Sequence, residues 1–290
     1  MSTAIKTGRR CGRCGKQIVV ADPVAAKLRK YCLKCRPPAE IKRKAAQLKA
    51  RPNRKVSGTP FTVDHFQGWS EQLKLDSGDL YQMETYQANY LTDLFSTKPD
   101  GKKTYSEAWL IVPEGNGKST FVSLVSLYHI EHVEFAYVPV AASSRDQAWI
   151  IYGQAEGFVK RNKMGQFKYN PGYRKLSCPA TEGVIQIYAA DVNTGDGVIP
   201  TLAWVDELHR HRDLELYRTW SGKVEKRAGQ VGVISTGGEP GGEFEETREL
   251  IRQSAAEVTT SKSGCYGRYA SPDEGTVMHE YAVPEDGDVE

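Results

Sequence analysis

The 290-residue sequence has no long apolar run. A helix that spans a bilayer needs about 20 consecutive apolar residues, and no run here approaches that length. The charged N-terminus is also not followed by the apolar segment that a secretory signal requires. These two absences argue against a membrane-spanning chain and against export through a cleaved signal, so we expect no membrane partner.

Cysteine is scarce, and most of it is grouped near the N-terminus. Four of the six cysteines form two C-x-x-C pairs with 17 residues between the pairs: Cys11, Cys14, Cys32 and Cys35. Such pairs can turn four thiolates toward one tetrahedral ion, so residues 1–36 are predicted to form a ribbon with structural Zn²⁺. Two disulfides are the alternative, which a reducing compartment disfavours. Cys178 and Cys265 have no partner pattern and are predicted to be free.

Acidic residues are rare in the first sixty positions. Residues 1–60 hold 17 Lys or Arg and 2 Asp or Glu, whereas the remaining 230 residues hold 22 and 34. The net charge of +3 therefore divides into +15 and −12. Residues 37–60 are predicted to be a basic linker. This asymmetry is typical of an arm that meets an anionic polymer, and a solvated linker is an equal alternative.

One glycine-rich segment has the order that a phosphate site needs. The apolar run 109–112 leads into Pro-Glu-Gly-Asn-Gly-Lys-Ser-Thr at 113–120 and then into a run with helical spacing. Glycines let backbone N–H groups approach an anion, and the helix N-terminus adds its positive dipole. The predicted ATP contacts are Gly115, Asn116, Gly117, Lys118, Ser119 and Thr120. The usual pattern has Gly at the position of Val112, so a chance glycine-rich turn is the alternative.

A second apolar run, at 201–205, ends in two carboxylates, Asp206 and Glu207. An ATPase with a parallel sheet needs a carboxylate at a strand end for the Mg²⁺ shell and an acceptor that orients the attacking water. Asp206 fits the first role, with Ser119 as the second Mg²⁺ ligand, and Glu207 fits the second. A solvent-facing strand end is the alternative for the pair alone. Together with Lys118, the pair predicts Mg²⁺-dependent ATP hydrolysis.

Apolar and helical segments alternate from about residue 61 onward. Strands are predicted at 108–112, 135–141, 184–190, 202–205 and 231–235, and helices at 80–95, after the glycine loop and at 148–159. Near-continuous apolar strands are typical of a mostly parallel sheet with helices on both faces. The predicted fold class is therefore an α/β P-loop NTPase of the ASCE or RecA-like kind over residues 61–290. The tail after about residue 252 is polar and weakly patterned.

Five short segments occur in a characteristic order. They are Tyr-Gln at 86–87, the glycine loop at 112–120, Ala-Ser-Ser-Arg-Asp-Gln-Ala at 142–148, Trp-Val-Asp-Glu-Leu-His at 204–209 and Ile-Ser-Thr-Gly-Gly at 234–238. Over roughly residues 75–285 this order resembles the ATPase domain of the large terminase subunit of tailed bacteriophages.

The resemblance implies an ATP-driven motor that moves double-stranded DNA into an empty capsid, in the cytoplasm of a bacterial host. It implies that Gln87 reads the adenine edge and that Ser235 and Thr236 couple hydrolysis to motion. The implied partners are double-stranded DNA, the portal, the small terminase subunit and further copies of the chain in a ring.

Some features depart from this family. Its members often carry Arg or Lys inside the phosphate loop, where this chain has Glu114. An arginine is therefore expected from elsewhere: a neighbouring subunit is one source, and Arg145, Arg210 and Arg212 are unranked candidates. His209 and His211 follow the acidic pair and are expected to support it rather than to bind a metal. Large terminases usually continue into an RNase H-like nuclease. No such Asp cluster follows here, so we expect an ATPase domain that is incomplete at its C-terminus and has no nuclease activity.

Two other functions stay open on the sequence alone. A helicase-like ATPase would need a second RecA-like domain, for which this chain has no room. A catalytically decayed fragment that acts as a zinc-ribbon binding module would explain the loop without an arginine. Binding of Mg·ATP separates the second alternative from an active ATPase.

Overall fold

The chain divides into two units, Met1–Lys55 and Val56–Glu290. A computed structural model describes residues 5–10, 17–20, 61–189, 199–238 and 240–282.

The described part of the first unit is a pair of strands. β1 (Ile5–Arg10) pairs antiparallel with β2 (Gln17–Val20). The basic linker predicted at 37–60 lies outside the described residues. The same holds for the predicted zinc ligands, Cys11, Cys14, Cys32 and Cys35.

The second unit is built on a ten-stranded sheet. In chain order its strands are β3 (Glu107–Ile111), β4 (Tyr137–Ala142), β5 (Lys168–Asn170), β6 (Lys175–Cys178), β7 (Gly183–Ala189), β8 (Leu202–Asp206), β9 (Gln230–Ser235), β10 (Glu257–Thr260), β11 (Tyr266–Ser271) and β12 (Thr276–Tyr281). Their order across the sheet is β10-β11-β12-β3-β9-β8-β4-β7-β6-β5. The six strands from β12 to β7 are parallel, and antiparallel strands extend both edges.

Helices cover both faces of this sheet. They are α1 (Val63–Ser70), α2 (Thr85–Phe95), α3 (Lys118–His132), α4 (Arg145–Arg161), α5 (Glu215–Val224) and α6 (Glu243–Ser254). In β8, Leu202 and Trp204 pack into the core that contains α1 to α4, whereas Ala203 and Val205 pack into the core that contains α5 and α6. Successive strand residues point to opposite faces, so a strand covered on both sides must be apolar throughout. The predicted α/β layering is confirmed.

Helix α2 begins later than predicted. The apolar spacing suggested a start at residue 80, but the helix starts at Thr85. The side-chain oxygen of Gln87 accepts the Glu84 N–H at 3.0 Å, which satisfies a backbone donor at the helix start. Before that point the chain is extended, and the Tyr81 N–H donates to the Leu73 carbonyl at 2.8 Å.

The prediction of a weakly patterned tail after residue 252 is wrong. Helix α6 runs to Ser254, three strands follow, and β12 joins the parallel sheet beside β3. His279 of β12 is buried, and its Nε2 lies 2.9 Å from Oδ2 of Asp93 in α2. Arg268 of β11 donates to the same oxygen at 2.7 Å. Polar residues that pair in the interior look like surface residues in a sequence, and this hides the strands.

Among the helices in the described ranges, none has the length and apolar character needed to cross a membrane.

Candidate active site

Three neighbouring strands end at the same side of the sheet. β9 lies between β3 and β8, and all three are parallel, so their carboxyl ends lie next to one another. The glycine loop follows β3, the acidic pair lies at the end of β8, and the predicted coupling residues lie at the end of β9. Ligands of open α/β sheets bind at the carboxyl ends of the strands. The topology therefore brings together the three predicted motifs.

The phosphate loop depends on two glycines with left-handed backbone. Gly115 has φ 85°, and Gly117, the N-cap of α3, has φ 68°. A side chain is strained at these angles, whereas glycine adopts them freely. The Asn116 side-chain amide donates to the carbonyls of Pro113 at 3.1 Å and Glu114 at 3.3 Å, which closes the turn. The outer loop stays exposed, and its amides are accessible to an anion.

Val112 stands where the usual pattern has its first glycine. This residue is buried and extends the pairing of β3, because its N–H donates to the Ser235 carbonyl at 3.0 Å. The turn itself begins only at Pro113. Ser119 and Thr120 follow in the first turn of α3, where both are half-buried.

Lys118 lies folded across the loop and joins it to the acidic pair. Its side chain is buried, and Nζ donates to the carbonyls of Val112 and Pro113, each at 3.1 Å. The same Nζ lies 3.4 Å from Oε1 of Glu207. The lysine of the loop and a carboxylate at the end of β8 are therefore in contact.

Both members of the acidic pair are buried, and Glu207 has an unusual backbone conformation. Glu207 has a left-handed φ of 49°, and its N–H donates to the Ile234 carbonyl at 2.7 Å. A non-glycine residue in this region is uncommon and stays there only when its surroundings fix it. Burial raises the pKa of Asp206 to about 7, and the charge of Glu207 adds to the rise, while Lys118 and Arg210 oppose it. The fold compensates the charge of Asp206 only in part.

His209 links the acidic pair to the end of β9. Its Nδ1 lies 2.8 Å from the Ser235 hydroxyl and 3.2 Å from Oε2 of Glu207. The Thr236 hydroxyl lies 3.2 Å from Nε2 of His209, and the Thr236 N–H donates to Oε2 of Glu207 at 3.3 Å. Burial lowers the pKa of His209, so the ring is neutral at neutral pH. The predicted coupling residues thus touch Glu207 directly and through a neutral imidazole.

His211 supports the other carboxylate. Its Nε2 bonds the backbone carbonyl of Asp206 at 3.0 Å, and burial lowers its pKa. Nowhere in the described part of the chain do three or more His, Cys, Asp or Glu side chains form a group that could hold a metal ion. Both histidines are engaged by protein groups.

Gln87 lies next to the loop, but its amide already has partners. Its oxygen accepts from the Tyr81 hydroxyl and the Glu84 N–H, and its nitrogen donates to the Tyr86 hydroxyl at 3.0 Å. The Tyr86 hydroxyl donates in turn to the Asn116 carbonyl. Tyr86 is therefore the direct link between α2 and the loop, a role that the sequence reasoning missed. Its position next to Gln87 was the available signal.

Arg210 reaches the phosphate loop from the segment after β8. One guanidinium nitrogen lies 2.6 Å from Oε1 of Glu114, and Nε donates to Nε2 of His209 at 3.2 Å. A cleft of about 810 Å³ opens beside this pair, lined by the segments that follow β8 and β9. Arg212 lines the cleft, and the side chain of Arg145 lies outside the described residues. Of the two candidates whose side chains the structure describes, Arg210 contacts Glu114 of the loop.

A buried arginine next to the segment that follows β9 was not predicted from the sequence. Arg248 of α6 donates to the Gly237 carbonyl at 2.5 Å and to Oε1 of Glu280 at 2.8 Å. It thereby ties the residue after Thr236 to α6 and β12. Charged partners 32 residues apart leave no periodic signal in a sequence, so no pattern could have predicted this contact.

Comparisons with known proteins give a family for most of the ATPase-like region. Residues 85–253, more than half of the chain, match the family described as terminase large subunit, ATPase domain. No curated protein matches the chain.

Among solved structures, the HK97 bacteriophage large terminase is 18% identical with a TM-score of 0.61, over 78% of this chain and 45% of that protein. This likeness shows a shared fold, and the chain spans less than half of that protein's length. The large terminase ATPase domain of Thermus phage P74-26 is 13% identical with a TM-score of 0.45, over 61% of this chain and 73% of that one. The UvsW helicase of bacteriophage T4 is 11% identical with a TM-score of 0.42, over 68% and 69%.

Proposed function

Because the chain belongs to the family of terminase large subunit ATPase domains, we propose that its hydrolysis of ATP drives double-stranded DNA into a viral capsid. The observation that best supports this is the contact across the loop, where Lys118 Nζ lies 3.4 Å from Oε1 of Glu207. A lysine on a phosphate loop and an acceptor that faces it are the parts that ATP hydrolysis requires.

The nucleotide binds at the glycine loop. The exposed amides of Gly115, Asn116 and Gly117 and the N-terminus of α3 receive the phosphates. Lys118 exchanges the carbonyls of Val112 and Pro113 for phosphate oxygens, which are stronger acceptors because they are charged. On the other side of the loop, Gln87 reads the adenine edge after releasing one of its present partners.

Asp206 and Ser119 would hold Mg²⁺. A carboxylate and a hydroxyl are the hard oxygen ligands that this ion prefers, together with phosphate oxygens. Burial raises the pKa of Asp206 to about 7, and a cation beside this carboxylate would favour its charged form. Mg²⁺ at this position would supply positive charge that neutralises the phosphate oxygens.

Glu207 orients the attacking water. Its Oε2 is fixed by the Thr236 N–H and lies 3.2 Å from His209, and its Oε1 faces Lys118. A carboxylate held from both sides keeps one geometry, and this positioning is most of what the protein contributes to phosphoryl transfer.

Ser235 and Thr236 pass the result of hydrolysis to the rest of the domain. Loss of the terminal phosphate changes the surroundings of Lys118 and Glu207, and the Thr236 amide is bonded to Glu207. Arg248 connects the next residue, Gly237, to α6 and β12. A small change at the site therefore reaches a helix and an edge of the sheet, as in other switches driven by γ-phosphate contacts.

Arg210 provides the second positive charge, which other family members often carry inside the loop at the position of Glu114. Glu114 holds its guanidinium at the loop by an ion pair of 2.6 Å that is largely exposed to solvent. Exposed pairs are weak, so the arginine can leave Glu114 for a phosphate oxygen as negative charge develops there. This places the cation on the same chain as the lysine that it assists.

The proposed motor acts on double-stranded DNA together with the portal, the small terminase subunit and further copies in a ring. The test of the ATPase assignment uses two substitutions. Lys118→Ala is expected to abolish nucleotide binding, measured by titration with a fluorescent ATP analogue. Glu207→Gln is expected to bind normally and to release phosphate about 10²–10⁴ times more slowly, because water is no longer oriented. An unchanged rate in Glu207→Gln would contradict the role given to this residue.

A structural Zn²⁺ bound by Cys11, Cys14, Cys32 and Cys35 is proposed from their spacing. Elemental analysis of the purified chain is expected to find one zinc per molecule, and Cys11→Ser with Cys14→Ser is expected to remove it while ATP hydrolysis continues. Equal zinc content in both proteins would exclude this site.

A further inference from the structure

One edge of the sheet is basic within a domain that is acidic overall. Residues 160–175 hold six Lys or Arg and no Asp or Glu, whereas residues 61–290 carry a net charge of −12. Five of these six side chains are exposed, and Arg174 is half-buried. Together with three aromatic residues they form a surface that we name the basic edge: Trp149, Lys160, Arg161, Lys163, Lys168, Tyr169, Tyr173, Arg174 and Lys175.

The aromatic side chains of the basic edge hold its cations in place. The Arg174 guanidinium lies 5.5 Å from the centre of the Trp149 ring, and Lys160 Nζ lies 4.9 Å from the centre of the Tyr169 ring. Tyr173 is 75% exposed. Cations held over rings lose less freedom when they meet an anion than cations on free side chains do. Lys160 also pairs with Glu156 at 3.0 Å.

The basic edge follows helix α4, which begins directly after the carboxyl end of β4 and runs back toward the amino ends of the parallel strands. Lys175 of β6 pairs with Gln186 in the middle of β7, and Lys168 of β5 lies opposite Ser177, which pairs with Val184 near the start of β7. Trp149 and Lys160 are eleven residues apart on α4, about 16 Å at 1.5 Å per residue. Duplex DNA carries one negative charge per about 1.7 Å of its axis, so this length faces about nine phosphate charges.

We propose that the basic edge binds the phosphate backbone of double-stranded DNA. The charge of the surface is complementary to a polyanion, and two of its three rings are already covered by cations, which leaves little open surface for stacked bases. This favours backbone contact with a duplex over binding of a single strand. The inference deepens the proposed function and takes from it that the polymer is duplex DNA. The competing explanation is that the lysines only protect the exposed strand β5 from pairing with other chains.

Photocrosslinking tests the position of the DNA in the full chain, where the basic N-terminal arm is present in every sample. A benzophenone amino acid replaces Tyr173, and a matched control replaces Leu250 of α6, which is 64% exposed on the other face of the sheet. We expect crosslinks to duplex DNA from position 173 and not from position 250. Equal yields from both positions, or a higher yield with single-stranded DNA at position 173, would overturn the proposal.

Neutralising two lysines tests the energetic contribution. Lys168→Gln with Lys175→Gln is expected to reduce the slope of log affinity against log salt by about 2, because each lost phosphate contact removes about 0.9. The control is Lys226→Gln with Lys262→Gln, two exposed lysines on other elements. ATP hydrolysis without DNA should be equal in all three proteins. Equal slopes, with aggregation of only the first variant, would support strand protection instead. If the wild type hydrolyses no ATP, the proposed function is contradicted, but the crosslink result stays valid.

Discussion

Asp206 and Asp93 are both shielded carboxylates, yet their pKa values move in opposite directions. Burial raises the pKa of Asp206 to about 7, and the charge of Glu207 adds to this rise. Burial also disfavours the charge of Asp93, but hydrogen bonds from His279 and Arg268 outweigh it and lower the pKa below its ordinary value. The fold satisfies Asp93 with its own cations and leaves Asp206 only partly compensated. A carboxylate of the second kind marks a place where a cationic ligand gains most.

Two arginine pairs repeat the same contrast. Arg210 lies 2.6 Å from Glu114 with side chains 44% and 69% exposed, and Arg268 lies 2.7 Å from Asp93 with side chains 20% and 12% exposed. The two distances are almost equal, so the pairs differ mainly in how far they are exposed to solvent. An exposed pair exchanges partners at little cost, whereas breaking a shielded pair leaves an uncompensated charge. The first pair is suited to catalysis and the second to holding α2 against the sheet.

The largest expected effect comes from removing the exposed arginine. Arg210→Ala is expected to slow ATP hydrolysis about 10³-fold, because charge on the phosphate is no longer neutralised, while the free energy of unfolding changes by less than about 0.5 kcal/mol. Phosphate release and thermal unfolding measure the two effects. Glu114→Arg combined with Arg210→Ala moves the cation into the loop and is expected to restore part of the rate. A slow Arg212→Ala with a normal Arg210→Ala would assign the role to Arg212.

The shielded arginine is expected to affect stability alone. Arg268→Ala should lower the free energy of unfolding by about 3 kcal/mol, since Asp93 loses a partner, and should leave the rate of hydrolysis per folded molecule unchanged. Asp93→Asn sharpens this with pH. A lowered pKa contributes stability at neutral pH that disappears as the pH falls through that pKa, so wild type and variant should converge in acid. Parallel stability curves in urea titrations from pH 7 to pH 3 would contradict this account.

The smallest expected effect on stability, that of replacing Asp206, should have the opposite sign. The raised pKa of Asp206 stabilises the fold at low pH, and that contribution is lost as the pH rises from about 4 to about 7. Asp206→Asn carries no such charge and is expected to be more stable than the wild type at pH 8, on the order of 1 kcal/mol, although it no longer hydrolyses ATP. Urea unfolding at pH 4 and pH 8 measures the difference. A less stable Asp206→Asn at pH 8 would show that the carboxylate is structural.

The sequence predicted the parts of the site that follow from local order. A continuous apolar strand, a glycine turn and a helix must succeed one another along the chain, so Lys118 could be placed at a strand end. Asp206 could be placed near it because the carboxyl ends of parallel strands lie at the same side of a sheet. These signals need no knowledge of distant contacts.

The missed parts depend on polar contacts between distant residues. His279 meets Asp93 from 186 positions away, and Arg248 meets Glu280 across 32. Neither contact produces periodicity, and each removes the apolar character by which a buried strand or helix is recognised. The link from Arg210 to Glu114 is of the same kind, which is why the sequence alone could not rank the three candidate arginines.

The place of β3 in the sheet has a consequence for how the protein is made. β3 ends at Ile111, but its two neighbours are β9, which ends at Ser235, and β12, which ends at Tyr281. A ribosome must therefore release about 170 more residues before the strand that carries the glycine turn has both of its partners. Pairings of such long separation form late and slowly. A nascent chain can thus form its helices early, while the strand that precedes the glycine loop stays unpaired on one side until β12 has been made.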